Sequence, residues 1–404
     1  MTTLDPYAAD VVAEGNRLRR LGPLVPIELD GAVRCWATAD YATADRIFTS
    51  PDFSKDPVHW KDYQDGRIPA GWPLLPLITM KSMLNRDGAD HLRLRSLLSQ
   101  AFTPKRIERL RPVIEKMADT LLDGLSAAGG AVVDLRREYA FALPMGVISH
   151  LFGVEDRADR QLLAQYYGTV IGSQSTPEQM RAAQLGLGRI IGKLIETKRT
   201  GPGDDLTSAL IAAHDGEDRL SAEELAETLL LMLFAGHETS KNLITNAVRS
   251  LLEHPDQFAK ARAASGTDWT RAVVEETLRW LSPIRVVMFY YARTELLLDG
   301  VRIRAGDPVL IYVAATGRDP ERFGPTADTF DVTRTAARHL SFAKGAHYCV
   351  GAPLGRMTAS VALDALFRRF QVACPDPRAL VPEWTYASNS VQALPVTLTA
   401  LVPA

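Results

Sequence analysis

The sequence predicts a mainly α-helical protein that carries small β-sheets. Apolar residues recur at helical spacing over the long stretches 106–125, 184–199 and 222–253, which is the pattern of amphipathic helices. Alternating or β-branched stretches are short and few, so they favour small sheets over a central one. The 404 residues contain neither an internal repeat nor a low-complexity linker. We therefore predict one domain over residues 1–404, with a helix-rich part and a smaller β-rich part.

In chain order, strand-like stretches come first. VPIELDG and AVRCWATA alternate apolar and other residues near the start and predict two strands. Proline and glycine cluster in QDGRIPAGWPLLPL (64–77), which predicts an irregular loop. The three helical stretches occupy the middle of the chain. VRIRAGDPVLIYVAA (301–315) and the C-terminal VQALPVTLTALVPA predict further strands, the last of them in a terminal hairpin.

Composition and charge narrow the class of protein. The chain has 46 basic and 48 acidic residues and a net charge of −2, so no overall field would draw it onto nucleic acid or an anionic membrane. Cys35, Cys349 and Cys374 are too few and too scattered for a disulfide framework or a closed zinc site. No apolar stretch is long enough to span a bilayer. We expect a soluble, cytoplasmic protein.

Cys349 stands in the stretch SFAKGAHYCVG, between two glycines and ahead of a helix-like stretch. Gly345 and Gly351 would let the backbone approach a neighbour closely and adopt conformations closed to other residues. Pro353 suits the first turn of a helix. Cys349 is therefore predicted at a helix N-terminus, where backbone N–H groups and the helix dipole favour a thiolate.

Three roles for this cysteine compete. A buried structural cysteine would not explain the flanking glycines. A nucleophile would need a base, and although His347 is close in sequence, residues two apart on a loop usually point in different directions. A zinc site would need further cysteine or histidine ligands at short spacing, and none follows. A lone thiolate can hold an iron that already carries four other ligands, which means haem.

Five residues of this stretch carry a resemblance to a known family. Phe342, Gly345, His347, Cys349 and Gly351 match F-x-x-G-x-H-x-C-x-G, and the sequence resembles the cytochrome P450s, whose haem iron is held by a cysteine thiolate. The resemblance implies the P450 fold, a triangular helix-rich prism with a smaller β-rich part. It also implies haem b as cofactor, with Cys349 as the iron ligand and Phe342 and Gly351 beside the haem.

The stretch AGHETS inside the longest helix is similar to the P450 signature A-G-x-[DE]-T. A glycine inside a helix costs about 1 kcal/mol relative to alanine, so we expect a compensating role. The resemblance implies that Ala235 and Gly236 lie against the haem and leave room for dioxygen. Glu238 and Thr239 would then supply an acid and an alcohol for proton delivery.

Two further pairs resemble family motifs. Glu276 and Arg279, in EETLRW, match E-x-x-R; the resemblance implies a buried structural ion pair, with Arg318 or Arg334 as a third member. His91 and Arg95, in HLRLR, match the H-x-x-x-R that holds haem propionates. Propionates are anions that enter a protein interior, so they need positive donors. The resemblance implies a further propionate partner at His339.

The departures from the family pattern are equally informative. Tyr290 stands where the family usually has a propionate-binding arginine, and a phenol donates a hydrogen bond without carrying charge. We expect the other propionate partners, or Arg285 or Arg293 from unusual positions, to compensate. Ala343 replaces a common glycine, and Gly355 stands where alanine is usual. We expect these two changes to leave haem binding intact.

The resemblance implies a monooxygenase that uses O2 to hydroxylate a hydrophobic or aromatic small molecule in secondary metabolism. No flavin or iron–sulfur motif is present, so we expect no fused reductase and separate ferredoxin and ferredoxin reductase partners. An acidic ferredoxin would meet a basic patch. The candidates for this patch are Lys105, Arg106, Arg109, Arg111, Arg338 and Lys344. By analogy, the predicted pocket residues are Met83, Phe234, Val286, Val287, Met288 and Ser390.

Three alternatives stay open at this point. A P450 could couple atoms or close a ring without inserting oxygen, and its product would lose two hydrogens instead of gaining an oxygen. A haem-binding sensor or carrier would have no turnover, but it would not need the acid–alcohol pair of Glu238 and Thr239. A haem-free cysteine hydrolase would be colourless.

Overall fold

The computed structural model describes residues 2–5, 10–126, 130–171, 175–214, 220–263, 268–335, 338–383 and 385–401. Helices dominate these ranges, as the sequence predicts. The α-helices are α1 (Val11–Leu21), α2 (Tyr41–Thr49), α3 (Lys61–Gln64), α4 (Leu75–Thr79), α5 (Gly88–Ala101), α6 (Pro104–Ser126), α7 (Ala142–Phe152), α8 (Arg157–Ile171), α9 (Pro177–Thr200), α10 (Leu206–His214), α11 (Ala222–Glu253), α12 (Pro255–Ala263), α13 (Asp268–Trp280), α14 (Val313–Thr316), α15 (Pro320–Phe323) and α16 (Ala352–Arg369). Short 3₁₀ turns lie at Asp30–Ala32, Pro57–His59, Met83–Asn85 and Gly345–His347, and a π-helical turn spans Arg136–Phe141.

The strands are β1 (Thr2–Thr3), β2 (Val25–Leu29), β3 (Val33–Thr38), β4 (Phe53–Ser54), β5 (Val133–Asp134), β6 (Val287–Ala292), β7 (Leu296–Leu298), β8 (Val301–Ile303), β9 (Pro308–Ile311), β10 (Phe370–Ala373) and β11 (Pro395–Ala400). The largest sheet has the order β1-β2-β3-β9-β6-β4, and β10-β11-β5 and β7-β8 form smaller sheets. The prediction of small sheets is confirmed.

The long helix α11 runs through the protein interior. Ser221 caps its first turn by accepting from the backbone N–H of Glu224, whose side chain accepts from the Ser221 N–H in return. This capping box fixes the start of the helix. The second half is buried on nearly every face, including polar residues such as Asn242 and Thr245. It packs against α7, α13 and α16, so the AGHETS stretch is held in the middle of the helical part.

Most sequence-based boundaries agree with the structure. The apolar repeat predicted α11 over 222–253, its observed range, and the stretch 106–125 lies within α6. The predicted strand 301–315 is correct only in part: it contains β8 and β9, but residues 313–316 form α14. The C-terminal strand β11 pairs antiparallel with β10 across a long connection. Part of the predicted loop 64–77 is helical, since α4 begins at Leu75.

The pairing of β4 with β6 in the large sheet determines which residues lie beside the candidate site described below. Strand β4 pairs antiparallel with β6, with Phe53 opposite Ala292 and Ser54 opposite Tyr291. Strand β6 in turn pairs with β9, with a register shift between Val287 and Tyr290. In the described parts of the chain, no helix is both long enough and apolar enough to cross a membrane.

Candidate active site

Cys349 lies in a tight loop that leads into α16. Its backbone N–H donates to the Phe342 carbonyl at 2.9 Å, and Pro353 occupies the first turn of the helix. Gly345 has a φ of +71°, and a Cβ added there would lie 2.5 Å from the Phe48 carbonyl oxygen. Both the backbone conformation and the close approach therefore require glycine at position 345.

Gly351 differs from this expectation. Its φ of −83° is open to any residue, so the prediction of an unusual backbone at Gly351 is wrong. A Cβ at this position would lie 3.9 Å from the Cys349 sulfur, which is ordinary contact. A Cβ here would therefore contact the sulfur without straining the loop.

The Cys349 side chain has solvent-accessible surface. Many protein atoms nevertheless surround the sulfur at slightly longer range, as they do around a side chain that lines a cavity. This burial raises the pKa of the thiol, and the N–H groups of Gly351 and Ala352 and the charge of Arg95 lower it by less. The N–H groups at the helix N-terminus favour a thiolate, as expected, but burial outweighs them in the protein by itself, so the pKa of the thiol lies above its ordinary value. A metal ion on the sulfur would remove the proton outright.

The middle of α11 carries a small exposed surface. Ala235 is exposed and its neighbours Phe234 and Gly236 are half-buried, and Thr239 Oγ1 donates to the Ala235 carbonyl at 2.7 Å. A Cβ added at Gly236 would lie 3.5 Å from Ile148 Cδ1, which is ordinary contact. The packing against α7 therefore does not require glycine at 236.

Glu238 is held by several partners on its own side of α11. Its Oε1 lies 2.7 Å from Lys241 Nζ and accepts from Ser388 Oγ at 3.1 Å. Tyr167 donates to Oε2 at 3.4 Å. Burial raises the pKa of Glu238, but the charge and hydrogen bond of Lys241 outweigh this, so the pKa lies below its ordinary value. Glu238 is therefore an anion in a buried network that continues to Glu383, 3.5 Å from Lys241 Nζ.

A second group of polar side chains surrounds His91. The buried His91 ring lies 4.2 Å from the His347 ring, centroid to centroid, and the Tyr290 ring lies 6.4 Å from that of His347. His347 Nε2 lies 3.2 Å from Asp87 Oδ1. His91 Nε2 is buried without a partner in the described chain. Half-buried Arg95 has no ion pair or hydrogen bond to another described residue.

His339 lies elsewhere. Its Nε2 is 3.3 Å from Glu275 Oε2, and Arg356 binds the same carboxylate. The structure therefore does not bring His339 to His91, and its contacts do not support the expected role as a propionate partner. His347, which precedes Cys349 by two residues, lies beside His91 instead.

Arg285 and Arg293 are the two arginines that could compensate for the missing arginine at position 290. Arg285 already binds other residues. Arg285 is fully buried and binds Glu14, the Asp5 carbonyl and the Tyr312 hydroxyl. Arg293 donates to Asp87 Oδ2 at 3.1 Å, so it reaches the edge of the group around His91. The Tyr290 hydroxyl makes no hydrogen bond to any residue in the described ranges.

The Glu276–Arg279 pair is buried in α13. Arg279 donates from Nε and Nη2 to the two Glu276 oxygens at 2.8 and 2.6 Å, and further bonds go to the carbonyls of Gly317, Ala327 and Thr329. Arg334 Nε lies 3.6 Å from Glu276 Oε1 and is the third member. Arg318 instead stacks on Trp280 at 4.0 Å.

Comparison with known proteins gives matches over most of the chain. The family model described as Cytochrome P450 matches residues 189–384. The 2-hydroxy-5-methyl-1-naphthoate 7-hydroxylase of Streptomyces carzinostaticus is 41% identical over 372 residues, which are 91% of this chain and 89% of that protein.

The chain belongs to the cytochrome P450 family.

Other P450s support the assignment. The vitamin D(3) 25-hydroxylase of Pseudonocardia autotrophica is 39% identical over 87% of this chain and 84% of that protein. The solved structure of testosterone-bound CYP154C4 from Streptomyces sp. ATCC 11861 is 40% identical, with a TM-score of 0.93 over 99% of this chain and 98% of that one. This chain is a P450 monooxygenase with the P450 fold.

The P450 family implies haem, and the residues fit that group. Cys349 offers an accessible sulfur, and Ala235 and Gly236 keep one side of α11 free of bulk. His91 and Arg95 offer a ring nitrogen and a guanidinium that lack partners in the described chain, which suits propionate carboxylates.

The residues expected to line the P450 substrate pocket fall into several environments. Phe234 packs on Tyr167, with ring centroids 5.2 Å apart, and Met83 borders the same apolar cluster. Val286 and Met288 pack with Trp60 and Phe289 instead, and Val287 borders a third cluster. The Ser390 hydroxyl donates to Asn246 Oδ1 at 2.9 Å, so it is already used within the protein.

Sequence reasoning missed two lysines of this P450. Lys241 lies three residues after Glu238, a spacing that places both on one helical face and could have revealed the pair. Lys55 lies beside Tyr290, with its Nζ 4.8 Å from the centre of the ring. Only the pairing of β4 with β6 brings these two together, and local patterns do not reveal such long-range pairing.

Proposed function

We propose that this P450 takes electrons from a ferredoxin and hydroxylates a hydrophobic, ring-containing small molecule. The observation that carries this proposal is the AGHETS stretch, where an alcohol and a buried carboxylate network meet in the middle of α11. A haem-binding carrier would need no such network. When haem is bound, its thiolate-ligated iron supplies the activation of O2.

The chain's own residues account for the supply of protons. Thr239 commits its hydroxyl hydrogen to the Ala235 carbonyl, so its oxygen is oriented as an acceptor. Glu238 is anionic and bound to Lys241. A proton that enters past Glu383, whose carboxylate also binds Arg136, would reach Glu238 through Lys241 Nζ, which takes up one proton as it gives another. Glu238 would then have to leave Lys241 before it could pass a proton to Thr239 Oγ1, and Thr239 would release its own hydroxyl hydrogen in the same step.

The substrate class is inferred from apolar residues and relatives. Phe234, Met83 and Tyr167 meet in one cluster, which would favour an apolar or aromatic ligand. The names of two relatives specify a naphthoate and vitamin D(3), and the CYP154C4 structure binds testosterone. Fused rings are common to these three compounds or their precursors, so we propose a fused-ring substrate.

The ferredoxin would dock on the basic residues that remain free. Arg106 lies 3.8 Å from Asp204, and Arg111 and Lys344 pair with Glu108 and Asp45. Lys105, Arg109 and Arg338 are exposed and have no carboxylate partner among the described residues. We propose that the docking patch includes these three, with Lys105 and Arg109, neighbours on one face of α6, at its centre.

Turnover under ¹⁸O2 with a surrogate ferredoxin and its reductase tests the reaction. With a panel of fused-ring compounds, the proposal expects products that gain one labelled oxygen atom. A product that has lost two hydrogens without label would favour oxidative coupling. A haem-loaded protein that binds these compounds but never turns over would favour a carrier.

Thr239→Ala tests the proton route. We expect this variant to keep its haem and to divert electrons to hydrogen peroxide. Thr245→Ala is a matched control, because Thr245 makes the same bond to the carbonyl four residues earlier, at 2.8 Å, on a buried part of α11. Equal coupling of electron use to product in both variants would contradict the role of Thr239.

A further inference from the structure

The sheet register places a lysine opposite the tyrosine that replaces the usual arginine. Ser54 pairs with Tyr291 in the antiparallel pair of β4 and β6, so the next residue, Lys55, comes opposite Tyr290. Directly opposed residues project to the same face of a sheet. Lys55 Nζ accordingly lies 4.8 Å from the centre of the Tyr290 ring.

Lys55 is buried with no carboxylate on its amine. Its side chain is 2% exposed, and Nζ donates to the Met288 carbonyl. No ion pair joins Lys55 to another residue in the parts of the chain that the structure describes. Burial lowers the pKa of Lys55 to about 7, and the charge of Asp87 offsets only part of this effect. A buried ammonium group without an anion is costly, so the site favours an added negative charge.

Asp87 does not fill this need, because its carboxylate already has four donors. These are the Lys55 backbone N–H, Ser54 Oγ, His347 Nε2 and Arg293 Nη2. The Lys55 amine is not among them. Near His347, Arg95 also lacks a partner in the described chain, and so does the ring of His91, which stays neutral because burial lowers its pKa to about 4. The group therefore holds more positive charge than its own acid neutralises.

We propose that Lys55 supplies the positive charge that Tyr290 lacks, and that it binds a haem propionate with the Tyr290 hydroxyl as a neutral co-donor. Lys55 thus carries, opposite position 290, the positive charge that the family usually has at position 290 itself. This inference rests on the haem binding proposed above. It assigns a specific cofactor-binding role to a residue outside every motif that the sequence displays.

Haem transfer from the holoprotein to excess apomyoglobin tests this proposal. We expect Lys55→Met to speed haem loss by about tenfold or more, the effect of one charge-assisted hydrogen bond. Lys55→Arg should stay close to wild type. The double variant Lys55→Met/Tyr290→Arg should recover most of the retention, since it returns the charge to the opposed strand.

Two controls separate this role from a structural one. Lys198 is also a buried lysine, but it binds Asp205 and Glu155, and Lys198→Met should leave the rate of haem loss unchanged. The reduction potential gives a second measurement. It should fall in Lys55→Met, because loss of a positive charge near the haem disfavours the added electron.

The outcomes distinguish the two proposals. If Lys55→Met retains haem like wild type and keeps the carbon monoxide band of a thiolate-ligated haem, Lys55 has no such role while haem binding stands. A double variant that fails to fold or to recover retention also contradicts the proposal. A wild-type protein that never shows the band overturns both proposals.

Discussion

Two clusters of basic and polar residues in this P450 differ in how many of their donors have hydrogen-bond partners. In the first, Arg279 uses Nε and both terminal nitrogens on Glu276 and three backbone carbonyls. The second, which we call the cation cluster, comprises Lys55, His91, Arg95, Tyr290 and His347. Here the His91 nitrogen, the Arg95 guanidinium and the Tyr290 hydroxyl lack partners among the described residues.

The difference distinguishes a structural cluster from a binding site. Buried polar groups are nearly always hydrogen-bonded, so unsatisfied ones need a particular explanation. Arg279 uses Nε and both terminal nitrogens within the protein, and its bonds join α13 to the segment that leads to the Cys349 loop. The cation cluster is incomplete without an anion. Both contain motif residues, and only their partners distinguish their roles.

The largest expected effect comes from breaking the buried Glu276–Arg279 pair. Arg279→Met leaves Glu276 buried without its main partner, and we expect a loss of about 3–5 kcal/mol in the free energy of unfolding. Urea unfolding of the holoprotein measures this loss. Arg302→Ala breaks an exposed pair with Glu295 and should cost less than about 1 kcal/mol. A similar small loss in both variants would contradict a structural role for Arg279.

The second prediction concerns the pH dependence of stability, because His237 is a buried base that is uncharged in the native protein. His237 is fully buried in α11, and burial lowers its pKa from 6.5 to about 4. The unfolded chain therefore binds a proton that the native protein does not, and stability falls as the pH drops from 6.5 towards 4. The loss is about 3 kcal/mol at most.

His237→Gln should remove this share of the acid sensitivity. Urea unfolding at a series of pH values gives the slope of stability against pH for both proteins. Identical slopes in this range would show that His237 does not contribute.

Removing one unsatisfied donor should weaken cofactor binding. Arg95→Met takes away the guanidinium that we predict binds a propionate, and we expect haem loss to become about tenfold faster. Arg93→Met is the matched control, because Arg93 lies on the same helix and already binds Glu224 at 2.6 Å. The rates of haem transfer from the two variants to apomyoglobin test whether Arg95 binds a propionate. Equal rates would place Arg95 outside the haem site.

The smallest effect concerns Ala343, in the loop that carries Cys349. Ala343 has a φ of +56°, a left-handed conformation that costs an alanine about 1–2 kcal/mol. Ala343→Gly should therefore raise the free energy of unfolding by about 0.5–1 kcal/mol, after allowance for the greater freedom of glycine when unfolded. Ala182→Gly, on the exposed face of α9, should lower it by about 1 kcal/mol. A lower free energy of unfolding for Ala343→Gly than for the wild type would contradict the backbone strain at Ala343.

Local signals account for the parts that the sequence predicted well. The apolar repeat and the Ser221–Glu224 capping box define α11, and the spacing of Glu276 and Arg279 places them on one turn. The errors have a different cause. The partner of His339, the network of Glu238 and the register of Lys55 all depend on residues brought together by tertiary packing. Gly351 has an ordinary backbone conformation, which a glycine in a sequence cannot reveal.

The central claim is that the sulfur of Cys349 binds haem iron, and the carbon monoxide difference spectrum of the reduced protein tests it most directly. The account predicts the absorption band of thiolate-ligated haem in the wild type. It predicts loss of that band in Cys349→His, with haem still bound through the imidazole. A haem-loaded wild type without the band, or a Cys349→His variant that retains it, would contradict the account.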